Sequence, residues 1–154
     1  MKNTISKTLI KKTAGFSLLE VLVALVVLSI GLLGLAALQA VALKSNHGAY
    51  QHSQATILAY DMMDRLRANR TVALAGSYEL AMGDSPSANS TLAEKDIKDW
   101  IDNYVSVLLP AGDGSITCDN DGVCTVVIQW DESRMGGTAT SSSSTASFTF
   151  TAEI

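Results

Sequence analysis

One stretch limits what this chain can fold into more than any other. From Phe16 to Leu43 runs "FSLLEVLVALVVLSIGLLGLAALQAVAL", 28 residues that are apolar or small apart from Ser17, Ser29, Gln39 and one acid, Glu20. About 20 such residues span a bilayer as a helix. In a chain of 154 residues a buried core helix does not need so much apolar sequence. The reading is therefore a transmembrane helix over 16–43. A secretory signal also begins with positive charge, but its apolar core is only about 7–15 residues long. Ala40-Val41-Ala42 offers such a signal a cleavage site, so removal there stands as the competing expectation.

Charge gives the run a direction. Lys2, Lys7, Lys11 and Lys12 precede it with no acid before Glu20, whereas after it only Lys44 appears before Arg65. The excess of basic residues predicts a cytoplasmic N-terminus and an exterior, periplasmic C-terminal domain. From Phe16 onward seven bases face fifteen acids, a net charge of −8. An acidic exterior domain argues against a nucleic-acid partner, because phosphate binding rests on positive charge.

Glu20 is the anomaly in the run. A carboxylate in a membrane segment costs roughly 2.5–3.5 kcal/mol on insertion scales. It stands four residues after Phe16, directly behind "KKTAGF". This stretch, "KKTAGFSLLEVLVAL", resembles the type III signal of the type IV pilin family: basic leader, Gly-Phe, acid, long apolar helix. The resemblance implies that residues 1–15 form a leader cleaved by a prepilin peptidase after Gly15, with N-methylation of Phe16. It also implies an assembly role for Glu20. Physically, a new α-amine on Phe16 lies one helical turn from Glu20, and an opposite charge within about 4–6 Å favours the ionised acid. The family favours the neighbouring subunit's amine, so the pair sets axial register. The competing reading is a lone acid that snorkels to the interface.

The helix is expected to continue past the membrane. Between Lys44 and Arg70 there is no Pro, and Ala55, Leu58, Ala59, Met62, Leu66 and Asn69 recur at spacings of three and four, one apolar stripe of an amphipathic helix. A helix from Phe16 to Arg70 is roughly 80 Å long at 1.5 Å per residue. Gly31 and Gly34 interrupt the apolar half. Glycine is ordinary in membrane helices, and the other reading is a segment that loosens on leaving lipid. The apolar run contains no Pro, a departure from the major pilins.

"YQHSQATILAYDMMDRLRANR", Tyr50 to Arg70, is similar to the corresponding stretch of minor pilins of the PilV type, the type IV pilus modification proteins. With the N-terminal signal, this resemblance covers about Leu9 to Arg70. It implies a non-enzymatic minor pilin that takes part in pilus assembly, priming or modification. The implied partners are prepilin peptidase, other minor pilins, the major pilin and the inner membrane, with later transfer to the pilus at the cell surface. Two alternatives stay open: a type II secretion pseudopilin, and a membrane-anchored periplasmic binding protein.

Asp61, Asp64, Arg65 and Arg67 read either as a solvated charged face or as a contact surface for a partner pilin. Asp61 and Arg65 are placed i, i+4 for a helical ion pair. His47 and His52 fall about 140° apart on a helix and cannot share a metal. Metal and cofactor are both expected to be absent. No nucleophile with its base, phosphate loop or zinc spacing appears, so no enzyme is indicated.

Beyond Arg70 the composition shifts. Residues 71–90 are small and polar with Pro86 and read mostly as a loop, with a short strand at Tyr78–Met82. "STLAEKDIKDWIDNYVSVLLP" reads as a helix: Thr91 and Glu94 fit a capping box, Ile97, Trp100, Ile101, Tyr104, Val105 and Leu108 share a face, and Pro110 and Gly112 end it. Trp100 reads as a core anchor. Cys118 and Cys124 are expected to form a disulfide in an oxidising compartment, around hairpin-turn chemistry at Asp119–Gly122. A calcium reading of that loop is weak, because the Gly falls too early. Thr125–Trp130 and "ASFTFTAEI" read as strands, separated by a flexible "GGTATSSSS". The expected fold is α+β, a pilin-like roll. A long N-terminal helix (16–43 in membrane, 44–70 amphipathic) is followed by 71–154, a connecting region and an antiparallel sheet of three or four strands.

Overall fold

A computed structural model describes residues 15–85, 90–119, 121–133 and 145–154. The basic leader, Pro86, Asn120 and the serine-rich run at 136–144 lie outside the described residues. The chain divides into two compact units, 1–40 and 41–154.

In the first unit, helix α1 begins; the whole helix is Leu18–Ala68, 51 residues. The side chain of Ser17 accepts a hydrogen bond from the Glu20 backbone N–H at 3.1 Å and caps the first turn. Every residue from 18 to 40 is exposed.

In the second unit α1 turns amphipathic. Ala55, Leu58, Ala59, Met62 and Leu66 are buried as the stripe predicts, joined by Gln51 and Met63. The expected end at Arg70 is corrected: α1 stops at Ala68, Asn69 takes non-helical angles (φ −124°, ψ 43°), and a second helix, α2, runs Arg70–Leu74. The amide of Asn69 leaves the stripe's packing role and donates to the Tyr78 hydroxyl at 3.2 Å. The loop expected from residue 71 is therefore helical for its first turn.

Helix α3 (Leu92–Asp99) starts at the capping box read from the sequence: Glu94 N–H donates to Thr91 Oγ1 and Thr91 N–H to Glu94 Oε2. It passes into a π-helical turn, Trp100–Val105, and a last α turn, α4 (Ser106–Leu108). The wide turn is a π-type insertion; Trp100, Ile101, Val105 and, just beyond α4, Leu109 are buried. The indole Nε1 of Trp100 donates to the Leu58 carbonyl at 3.0 Å, which fixes this helical segment to α1. Trp100 is the anchor the sequence predicts.

The sheet has three antiparallel strands in sequence order: β1 (Asp113–Cys118), β2 (Val123–Asp131) and β3 (Thr145–Glu153). The strand expected at Tyr78–Met82 is corrected to a single bridge, in which Leu80 and Ile116 exchange both backbone hydrogen bonds. Alternation decides the faces. Cys124, Val126, Ile128 and Trp130 of β2 are buried in one core with the α1 stripe, and Phe148 and Phe150 of β3 pack partly buried on its margin. On the opposite face Thr125 and Thr151 pair their hydroxyls at 3.0 Å. The result is the expected α+β arrangement, a long N-terminal apolar helix packed with a small antiparallel sheet.

Candidate functional site

Two groups of residues bear on function. The first is the start of α1. Phe16 and Glu20, four apart, line one shallow groove of about 330 Å³ with Val21, Ala24, Leu25 and Leu28. Phe16 is 83% exposed and no side chain of the second unit is needed to form this groove. Glu20 is the lone carboxylate between Phe16 and Leu43. The geometry offers one acid, one turn from Phe16, on a stretch of helix, 18–40, whose apolar side chains are all exposed.

Residues 10–36 match the family model of the prokaryotic N-terminal methylation motif. That match supports a type IV pilin-like protein. The segment contains Gly15, Phe16 and Glu20, the residues on which the sequence resemblance rests. The motif implies a prepilin-peptidase cleavage site and, with the long apolar helix, anchoring in a membrane. Proteins of this kind are structural rather than catalytic. Neither a curated protein nor a solved structure matches the chain.

The second group is the charged segment at the end of α1, and here the structure brings together more than the sequence predicts. Arg65 Nε lies 3.0 Å from Asp61 Oδ2, the i, i+4 pair. Its Nη1 lies 3.1 Å from Asp99 Oδ2 and 3.8 Å from Asp96 Oδ1. Its guanidinium also sits over the Tyr104 ring at 5.6 Å. Asp96 in turn accepts from the Tyr78 hydroxyl at 2.6 Å, and that hydroxyl accepts from Asn69. Arg65 is thus largely committed inside the domain. Asp64 and Arg67 pair at 3.2 Å and are the more exposed part of the segment. Arg67 also donates to the Glu153 carbonyl, and Arg70 to that of Ile154.

Sequence spacing could not reveal this network, since Asp96 and Asp99 lie about thirty residues from Arg65. The signal within reach was two acids three apart on a predicted helix. The network shifts proton affinities. Asp99 is held below the usual carboxylate range, first by the Asn103 amide and then by Arg65. Tyr78 is pushed up by burial and by its bond to Asp96.

Cys118 and Cys124 are bonded, at 2.00 Å, across the β1–β2 turn. Within that turn Asp119 Oδ1 accepts from the N–H groups of Asp121 and Val123, and Gly122 has φ +90°, a value that favours glycine. The Asp119 carboxylate is therefore spent on the turn itself. His47 is exposed; His52 packs edge-on against Trp130, with ring centroids 4.9 Å apart, and stands 3.7 Å from Glu132. Among the described residues no cluster of His, Cys, Asp and Glu has the form of a metal site.

Proposed function

We propose that this chain is a minor pilin of a type IV pilus, held in the inner membrane and then taken into a filament with other pilins. The observation that carries the reading is the first half of α1. From Leu18 onward its apolar side chains are exposed without exception, and no part of its most apolar window is buried within the chain. So large an apolar surface requires lipid, or the helices of other subunits. The methylation motif at its head supplies the second support. The unbroken α1, with no Pro in its apolar run, fits a minor subunit rather than a major one.

In this reading prepilin peptidase cuts between Gly15 and Phe16 and methylates the new amine. Glu20 then meets the Phe16 amine of an adjacent subunit. A charge pair at low dielectric is costly to break on one side, so it sets register as the subunit leaves the bilayer. Asp64 and Arg67, with Asp61 and Arg65 behind them, form a surface for a partner pilin. The type II secretion pseudopilin is the second reading, because the same N-terminal motif serves both kinds of protein.

The test is co-purification from membranes with identification of the bound proteins. Pilus minor subunits bound in a Glu20-dependent manner support the proposal. Secretion-system components in their place would move the assignment to the pseudopilins. A chain that binds no other subunit leaves the anchored periplasmic binding protein.

A further inference from the structure

The fold covers one edge of the sheet and leaves the other open. On β1 the outward residues are Gly114, Ile116 and Cys118, since Ile116 exchanges both of its backbone hydrogen bonds with Leu80 rather than with β2. Each of their N–H groups has an acceptor: Asp113 Oδ1 for Gly114 at 2.8 Å, the Leu80 carbonyl for Ile116 at 2.9 Å, and Glu79 Oε1 for Cys118 at 3.0 Å. β3 is the other edge. Ile154 N–H donates to the Gly122 carbonyl, one step beyond the Val123–Glu153 pair, so the even-numbered residues of β3 bond to β2 and the odd-numbered ones face outward. Ser147, Thr149 and Thr151 are exposed, and their outward backbone groups have no partner among the described residues. Arg67 closes the far end by donating to the Glu153 carbonyl. The β2–β3 register runs unbroken, with no bulge, and β3 has neither Pro nor Lys to blunt its edge. All of these residues lie in the second unit.

From this edge we infer that β3 receives an extended segment of another subunit as a fourth, antiparallel strand. The free donors and acceptors recur every second residue, about 6.8 Å apart. The partner that matches such a row along its length is a polypeptide in β conformation. The two faces set its side chains. Across from Ser147, Thr149 and Thr151 it places small hydroxyl residues, as Thr125 already does for Thr151. On the core side it meets Phe148, Phe150 and Tyr60. The Tyr60 ring tilts on Phe150 with centroids 4.4 Å apart and is 49% exposed, apolar surface that the chain's own strands leave uncovered. The partner segment therefore alternates hydroxyl with aromatic or aliphatic residues. β3 itself is of that kind: TASFTFTAE reads nearly alike in both directions about Thr149, so an antiparallel strand of this sequence sets Phe148 against Phe150 and Ser147 against Thr151. A strand added here ends beside Arg67, in the charged segment proposed above for partner contact. The inference deepens the reading of this chain as a filament subunit and rests on it.

The probe is a labelled peptide of sequence TASFTFTAE with blocked ends, titrated with the full chain in detergent and followed by fluorescence anisotropy. Wild type should bind it saturably. A peptide of the same composition with its phenylalanines adjacent loses the alternation and should bind at least about tenfold more weakly. Thr149→Pro deletes one outward N–H without touching the β2 ladder, and should weaken binding about tenfold, the effect of one hydrogen bond. Thr149→Val keeps that N–H and should bind as wild type. Amide exchange reads the edge without any variant. The N–H groups of Thr149 and Thr151 should exchange fast in the free chain and at least about tenfold more slowly with peptide bound, while those of Phe148 and Phe150 stay slow in both states. No saturable binding, equal binding of the two peptides, or unprotected Thr149 and Thr151 in the saturated complex overturns the inference, and the co-purification still decides the pilin reading by itself. A wild-type chain that sediments as a dimer, and as a monomer once Thr149→Pro is made, overturns the assignment to another subunit and gives the edge to a second copy.

Discussion

The guanidinium of Arg65 reaches from α1 to the carboxylate of Asp99 at the end of α3, 3.1 Å away. The Arg65 side chain is 20% exposed and that of Asp99 43%, so the pair is partly shielded on the arginine side only. Replacing Arg65 by Met leaves Asp61, Asp96 and Asp99 close together without a cation. The expected loss is about 1–3 kcal/mol, read from urea melts of the exterior domain. Arg65→Lys should recover less than half, since a single ammonium cannot reproduce the fork. Full recovery by lysine would show that only net charge matters here.

Acid should weaken the same joint. The folded pKa of Asp99 is depressed, by Asn103 and then Arg65, so its contribution is complete above the unfolded value of about 4. It is lost as pH falls through the folded value. Glu94 is depressed in the same direction by its bonds from Ser90 and Thr91. Stability should therefore be flat near neutrality and fall below about pH 4. Tyr78 acts in the opposite sense. Its pKa is raised by burial, so its contribution is complete below about pH 10 and lost as pH climbs through the folded value. Thermal melts across pH locate both edges, and an Asn103→Ala variant should shrink the acid loss.

Gly114 permits Trp100 to sit on β1. A Cβ there would stand 2.6 Å from the indole ring. Gly114→Ala should cost about 1–3 kcal/mol through overpacking, whereas Gly76→Asn, at φ +79° with only an ordinary 3.9 Å contact to Glu79 Cγ, should cost less, the strain of the left-handed region being one that asparagine tolerates. Comparing the two variants' unfolding midpoints separates packing from glycine's backbone freedom.

The disulfide should contribute to stability and nothing else. It closes a short loop, for which the chain-entropy model gives about 2 kcal/mol. A Cys118→Ser, Cys124→Ser double variant should unfold at lower denaturant yet keep its membrane association and any partner contacts. Loss of partner binding in a folded double variant would assign the turn a recognition role.

Processing and assembly should separate at the head of α1. Replacing Gly15 by a bulky residue should leave the precursor uncut, detected by mass. Glu20→Ala should be cut normally and inserted normally, since the apolar run is long enough without the acid. Its defect should appear in pilin contacts or piliation. The disulfide lies in the other compact unit and should form as before. A mature N-terminus near Leu43 would instead revive the secretory signal.

Local chemistry settled much of this protein before any fold existed. The apolar run, the acid at Glu20, the stripe from Ala55 to Leu66, the capping box at Thr91 and the alternation around Phe148 and Phe150 each depend on residues within one or two turns or along one strand. Such patterns are readable because a helix or strand places near neighbours at fixed angles. The tertiary structure decided what depends on distant partners. Asn69 breaks the helix where its amide finds Tyr78, and Trp100 sits on a π-turn because its indole meets both Leu58 and Gly114. Leu80 forms one bridge, to Ile116, rather than a strand. Arg65, read as half of an i, i+4 pair, gains Asp96 and Asp99 only once α3 packs beside α1. Long-range contacts of this kind are set by how the apolar faces close on one another, and the spacing of charges along a single chain carries no record of that closure.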